Sequence, residues 1–198
     1  SYIALISLSV NLKFMSIQIN YRKNLNKKSH SNMILFADEN FKNSNLKKYI
    51  PSKEYNFLTG LLKKKDLKKN ILSFDLTSKN KIILVSIKKN IQVWEAENIG
   101  AKFFDYIKEN NLENYVLKAD SISNNSNNFV GYFLHGIKLK SYKFDKYITK
   151  RKKNYKSITV EGKNIPSKND QIKFKAIEEG TFYARDLVSE PGNILHPD

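Results

Sequence analysis

The chain alternates two kinds of hydrophobic pattern from Met15 onward. Short apolar runs rich in β-branched residues predict strands, and longer stretches with apolar residues every three or four positions predict helices. The predicted strands are 17–21, 33–37, 71–76, 81–87, 115–118 and 157–161, and the predicted helices are about 50–62, 91–110, 128–142 and 168–188. Strands that alternate with helices at this spacing indicate an α/β domain, with a mixed or mostly parallel sheet between helical layers.

Two of these elements carry a pattern that predicts burial. Residues 82–87 are Ile-Ile-Leu-Val-Ser-Ile, a continuous run typical of a strand covered on both faces. The helix predicted next has an apolar side that we expect to face the sheet. This side is formed by Val93, Ala96, Ile99, Gly100, Phe103 and Ile107.

The last predicted helix follows a connector, residues 164–170, in which Ser167 is placed to cap the helix and Asp170 lies in its first turn. Its apolar stripe steps by three or four residues. The stripe consists of Ile172, Ala176, Gly180, Tyr183 or Ala184, and Leu187. Small residues permit close packing against another element. The sequence offers no obvious partner, so we expect the partner to be a continuation beyond Asp198.

Residues 1–14 are apolar, and Lys13 is their one charged residue. An apolar run of about eleven residues is shorter than the ~20 needed to cross a bilayer. It also lacks the basic region and small-residue cleavage site of a secretory signal. We therefore interpret residues 1–14 as a leader from an upstream start, outside the native fold, and predict no membrane association.

The overall composition is that of a globular protein. A length of 198 residues allows one domain with an extension, and 40% hydrophobic and 12% aromatic residues exclude a disordered tail. There is no cysteine. This excludes disulfide frameworks, thiol catalysis and cysteine-based zinc sites.

A formal net charge of +16 suggests nucleic acid or an anionic membrane as a partner. The chain has 32 Lys but 3 Arg, together with 24 Asn and 21 Ile, and Lys, Asn and Ile have A/T-rich codons. Arginine, which binds phosphates and guanine edges with two hydrogen bonds, is scarce. We therefore favour coding bias and solubility, with weak nonspecific nucleic-acid binding at low salt.

No catalytic pattern is visible in the sequence. The histidines His30, His135 and His196 have no metal-ligand spacing. We expect the acidic pairs to lie on solvated faces; these are Asp38 with Glu39, Glu95 with Glu97, and Glu178 with Glu179. Neither a glycine-rich phosphate loop nor a G-x-S-x-G motif occurs. We therefore predict no catalytic, cofactor-binding or metal-binding residue in this chain.

Positive charge is densest between Lys138 and Lys156, where eight Lys and Arg151 oppose Asp145 alone. Four aromatic residues are interleaved with these charges: Tyr142, Phe144, Tyr147 and Tyr155. Such a segment can bind single-stranded nucleic acid through charge and stacking. Alternatively, the aromatic residues anchor a helix end to the core while the lysines are solvated.

Two segments resemble one protein family. Residues 184–198 are Ala-Arg-Asp-Leu-Val-Ser-Glu-Pro-Gly-Asn-Ile-Leu-His-Pro-Asp, in which proline and glycine stop a helix. This stretch resembles the A-R-D-L-V-N-E-P-A-N-x-L-T-P segment that leads into the catalytic domain of leucine (cytosol) aminopeptidases. Residues 136–147 are similar to that family's G-x-x-L-x-S-Y-R-F-D-x-Y segment, with matches at Gly136, Ser141, Tyr142, Phe144, Asp145 and Tyr147. Both segments occur in the family's order.

The resemblance implies a three-layer α/β/α, macro-like N-terminal domain in residues 15–162, followed by a linker helix and the start of a catalytic domain in residues 163–198. Family members are cytosolic metallopeptidases, usually hexameric, that release N-terminal residues, often leucine, from peptides. Two divalent metals, zinc or manganese, activate a bridging water. The family's metal-binding and catalytic residues lie downstream, so we expect this chain to be an inactive fragment without a cofactor.

Two other functions stay open. The first is a free-standing macro-like module that binds a nucleotide such as ADP-ribose. The second is a basic nucleic-acid-binding protein, whose affinity would fall steeply with salt.

Overall fold

The structure is a computed structural model that describes residues 17–23, 32–41, 44–63, 69–76, 80–122, 128–143 and 156–190. These residues form six strands: β1 Ile17–Arg22, β2 Asn32–Ala37, β3 Ile71–Asp75, β4 Lys81–Ser86, β5 Asn114–Lys118 and β6 Lys156–Glu161. They also form four α-helices: α1 Ser52–Leu62, α2 Val93–Lys108, α3 Phe129–Ser141 and α4 Lys168–Ser189. Each element lies within a few residues of its predicted position.

The strands form one mixed sheet in the order β1-β6-β5-β2-β4-β3. Neighbouring strands are parallel except β3, which is antiparallel to β4. In the centre, Ile34 of β2 is aligned with Ile83 of β4 and with Leu117 of β5. The predicted α/β fold with a mixed sheet and a following helix is confirmed.

Helices cover both faces of the sheet. On one face Leu35 and Leu84 join a buried cluster with Leu58 of α1. On the other face Ile34 and Ile83 join a cluster formed with α2 and α3. Residues 82–85 of β4 are fully buried, so the predicted burial of this strand on both faces is confirmed.

The predicted buried side of α2 is correct except at its first residue. Val93 is 42% exposed because it opens the helix, beyond the area that α3 and the sheet cover. Phe104, which the pattern omitted, is buried instead. At the start of α4, the backbone N–H of Asp170 donates to the Ser167 hydroxyl at 3.1 Å, which confirms the predicted cap. Among the described helices, none is long and apolar enough to cross a bilayer.

Candidate functional site at the junction of α3 and α4

The two distinctive sequence segments meet where α3 ends. Tyr142, the residue after α3, donates a hydrogen bond of 2.7 Å from its hydroxyl to Oδ1 of Asp186 in α4. Its ring stacks on Phe182 with centroids 5.4 Å apart, and the Arg185 guanidinium lies 5.4 Å from the ring centroid. Arg185 also donates to the carbonyl of Leu139 at 2.7 Å. Burial and the bond to Asp186 raise the pKa of Tyr142 to about 12.

A buried polar cluster joins the middle of α4 to α3 and β1. Nδ1 of His135 lies 2.9 Å from Oε1 of Glu178, and the two residues are 5% and 7% exposed. Lys138 donates to the carbonyl of Ile17 in β1 at 3.0 Å. Burial lowers the pKa of Lys138, and the charge of Glu178 opposes that shift. Burial raises the pKa of Tyr21 to about 12, and the charge of Glu178 adds to it.

Glu178 corrects a prediction made from the sequence. We expected Glu178 and Glu179 to share a solvated face, but Glu178 is buried and Glu179 is exposed. Successive residues of a helix point about 100° apart, so one of the two can face α3 while its neighbour faces water. Phe174, four residues before Glu178, lies on the same side of α4 and also faces α3.

Phe174 supplies the apolar part of the junction. It is 8% exposed, and its ring contacts Tyr132 edge-on at a centroid distance of 5.1 Å and His135 at 5.0 Å. Gly131 leaves space for this ring, since a Cβ on Gly131 would lie 2.7 Å from Cε2 of Phe174. The surface of α3 therefore has a depression at Gly131 that accommodates the Phe174 ring of α4.

The entry to α4 is fixed by Asp120, which follows β5. Its carboxylate accepts backbone N–H bonds from Lys163 at 2.8 Å and from Asn164 at 2.8 Å. Gly162, between β6 and this turn, has a φ of 131°, a conformation that favours glycine. A Cβ on Gly162 would also lie 2.7 Å from the Asp120 carboxylate. The start of α4 is thus tied to the end of the central sheet.

The face of α4 that points away from α3 is apolar and exposed. Its exposed large side chains are Ile172 (67%), Ile177 (45%), Tyr183 (67%), Leu187 (43%) and Val188 (86%). A Cβ on Gly180 would meet no atom within 4 Å. The predicted stripe therefore lies on one face of the helix, with no cover from the described part of the chain.

Other titratable groups act structurally. Glu95 caps α2: it accepts the N–H of Gln92 at 2.9 Å and lies 3.2 Å from Nζ of Lys88, and the bond from Gln92 lowers its pKa. At the ends of β5 and β6, Lys118 and Glu161 form a buried ion pair of 2.6 Å that the sequence pattern did not predict. The one indication of this ion pair in the sequence is that each of the two residues ends a predicted strand.

The described residues hold no group of three or more His, Asp or Glu side chains that could bind a metal. They therefore do not fit the two metals that the resemblance implies, and no metal-dependent step is assigned to them. His30, His196 and most of the basic segment lie outside the described residues. Of the four aromatic residues in that segment, the structure describes Tyr142, which anchors the end of α3.

A cleft of about 320 Å³ opens beside the start of α2, lined in part by Glu39, Lys88, Trp94, Glu95 and Lys102. Lys88 is paired with Glu95, and Glu39 adds a further negative charge to the rim. Positive and negative charges thus offset each other, which does not favour a phosphate.

No family model matches the chain. It is similar to a curated relative, the probable cytosol aminopeptidase of Clostridium perfringens, with 29% identity over 166 residues. The alignment covers 75% of this chain and 34% of the relative, so the chain spans about a third of the relative's length.

Solved structures share the fold. A mutant of tomato leucine aminopeptidase aligns with 90% of this chain and 39% of its own, at a TM-score of 0.68 and 18% identity. The bottromycin maturation enzyme BotP, solved in complex with Mn, aligns with 85% of this chain and 34% of its own, at a TM-score of 0.58 and 12% identity. The chain matches the N-terminal region of the leucine aminopeptidase structures.

Proposed function

We propose that this chain, a distant homologue of the cytosol aminopeptidases, is the N-terminal, non-catalytic part of a leucyl aminopeptidase. In this proposal residues 1–14 are a leader outside the native fold and residues 15–162 are a macro-like domain. Residues 163–198 are the linker helix and the start of the catalytic domain. The contact that supports it best is the one between Tyr142 and Asp186, since it joins the two family-like segments where the helix leaves the domain.

The role we assign to the described residues is mechanical. Asp120 fixes the start of α4, the pair of His135 and Glu178 holds its middle, and Tyr142 holds its last turns. Three attachments spaced along one helix define its direction, whereas a single attachment would let it swing. A helix held in this way gives whatever follows it a fixed orientation relative to the sheet.

The parent protein would be a cytoplasmic, hexameric metallopeptidase that releases N-terminal amino acids from peptides, as the family resemblance implies. Two divalent metals, manganese or zinc, would polarise the scissile carbonyl and activate water there. Manganese is supported by BotP, which was solved in complex with Mn. The metal ligands would belong to a part of the parent outside the described residues.

The purified chain tests the proposal directly. Incubated with a chromogenic leucine amide and Mn²⁺ or Zn²⁺, it is expected to give no turnover above the metal-only blank. The full-length relative from Clostridium perfringens serves as the positive control. Metal-dependent turnover by the 198-residue chain would contradict a non-catalytic role. The genomic reading frame after Asp198 gives a second test, since we expect it to encode the N-T-D-A-E-G-R-L signature that aminopeptidases of this family carry in their catalytic domain.

A further inference from the structure

The cleft beside the start of α2 contains the single tryptophan of the chain. Trp94 is 62% exposed, although tryptophan is on average a well-buried residue. An exposed indole offers a ligand a large, rigid apolar surface. The partly buried Ile91 and the buried Ile99 line the same cleft. The cleft therefore has an apolar side that can hold a hydrophobic group.

The length of the cleft follows from the residues that α2 contributes to it. Trp94, Asn98 and Lys102 line the cleft. They are four residues apart, so they form a row on one side of the helix that rises about 12 Å from first to last. Tyr106 is next in this row, and its hydroxyl donates to the hydroxyl of Ser73 in β3. The Lys102 end of the cleft therefore lies toward the edge strand of the sheet.

The cleft has one negative and one positive charge that the chain does not use. Glu39 lies in the turn after β2, and the bond from the N–H of Ile87 to the carbonyl of Ala37 places this turn beside the residues that lead from β4 to α2. Within the described ranges, neither Glu39 nor Lys102 has an ion-pair partner. The other two charges of the lining neutralise each other. A negative charge thus lies near the start of α2, and a positive charge lies two turns further along.

Three uncharged polar side chains also line the cleft: Asn70, Ser86 and Asn98. None of these side chains has a hydrogen-bond partner among the described residues. Ser86 is 8% exposed, and a buried hydroxyl without a partner costs free energy that a bound polar group would recover. Amides and hydroxyls both donate and accept hydrogen bonds, so they match a ligand group that does the same, such as a peptide bond.

We propose that this cleft binds a short peptide of two or three residues with both termini unblocked. The amino group of the peptide pairs with Glu39, its carboxylate pairs with Lys102, and an apolar side chain packs on Trp94. The inference goes beyond the proposed function and holds whether or not the chain is part of a peptidase.

The size of the cleft agrees with such a ligand. Its volume of about 320 Å³ is at the lower end of the ~300–1,000 Å³ of small-molecule sites. An extended peptide spans at most about 3.5 Å per residue, so two or three residues reach between charges that flexible side chains bring inside a row of ~12 Å. A free amino acid has both charges on one carbon atom, which is too close together for the two ends of the cleft.

The fluorescence of Trp94 tests binding directly, because no other tryptophan contributes to the signal. Titration with the dipeptide Leu-Leu, without added metal, is expected to shift the emission to shorter wavelength and to saturate, since the bound side chain removes the indole from water. Acetyl-Leu-Leu amide, which has neither charge, and free leucine are each expected to bind roughly tenfold more weakly. Absence of a saturable shift up to about 10 mM Leu-Leu overturns the proposal. Equal binding of the blocked peptide or of free leucine also overturns it.

Charge-removing variants test the assigned orientation of the peptide. Glu39→Gln and Lys102→Gln are each expected to weaken Leu-Leu binding about fivefold. Leu-Leu amide lacks the carboxylate, so it should bind wild type and Lys102→Gln equally, while Glu39→Gln still weakens it. Glu109→Gln and Lys173→Gln are matched controls at exposed positions outside the lining, and they should leave the affinity unchanged. Losses of the same size in these controls would reveal only general charge attraction, and would overturn the proposal.

Discussion

Helix α3 holds its two neighbouring helices in different ways. Against α2 it packs through glycines: a Cβ on Gly136 would collide with the carbonyl of Glu97, and a Cβ on Gly100 with the carbonyl of Phe133. Against α4 it relies on Phe174 and on polar contacts, of which the best defined are His135 with Glu178 and Tyr142 with Asp186.

The difference separates a permanent core from an attached element. Close backbone packing is non-directional, and it tolerates no added atom. Polar contacts fix an orientation, but each depends on one donor, one acceptor and their protonation. We therefore expect α2 and α3 to unfold with the sheet, and α4 to be able to detach first.

The largest expected effect is at the α2–α3 contact. Gly136→Ala should lower the free energy of unfolding by about 3 kcal/mol or more, because the two helices must separate to admit the methyl group. Urea unfolding of the purified chain measures this. Gly180→Ala is the matched control, and it should stabilise the chain by up to about 1 kcal/mol, since space is free there. Equal effects at the two glycines would show that the loss does not come from the close contact between α2 and α3.

The next effect is at the middle of α4. Glu178→Ala leaves the buried His135 without its carboxylate partner, and should cost about 2–3 kcal/mol. Hydrogen exchange should accelerate at the amides of α4 while those of α2 keep their protection. Glu179→Ala, next to it but exposed, should change stability by no more than about 0.5 kcal/mol. Uniformly faster exchange in both helices would contradict separate detachment of α4.

A smaller effect is expected at the end of the junction. Tyr142→Phe removes the hydroxyl that donates to Asp186 and keeps the stacking on Phe182. The loss should be about 1 kcal/mol, the typical value of one hydrogen bond. Thermal unfolding measures it, with Tyr183→Phe on the exposed face as the control that should have no effect.

The smallest effect is the pH dependence of the stabilisation that Tyr142 contributes. The pKa of Tyr142 is about 12 in the folded chain, whereas an unfolded tyrosine has a pKa of about 10. The folded state therefore holds this proton more tightly, so its stabilisation is complete below pH ~10 and is lost as pH rises through about 12. Melting curves of wild type and Tyr142→Phe should converge over this range. A difference that stays constant up to pH ~12 would show that the hydroxyl is not responsible.

The hydrophobic pattern predicted the strands and the helices because buried positions recur at a regular spacing within each of these elements. The run 82–87 predicts a strand covered on both faces, and Ser167 predicts the start of α4. The junction was different, since its contacts join residues more than forty positions apart. Glu178 and Glu179 are chemically equal in the sequence, and only the direction set by Phe174 distinguishes them.

Strand β1 has a consequence for how the chain is made. Among the described strands it pairs with β6 alone, and β6 lies most of the chain away in sequence. A ribosome adds about 5–20 residues per second, so the first strand waits several seconds for its partner. During that interval the inner strands can already assemble around β2. The edge of the sheet is thus completed last, at about the time when the residues that seat α4 also leave the ribosome.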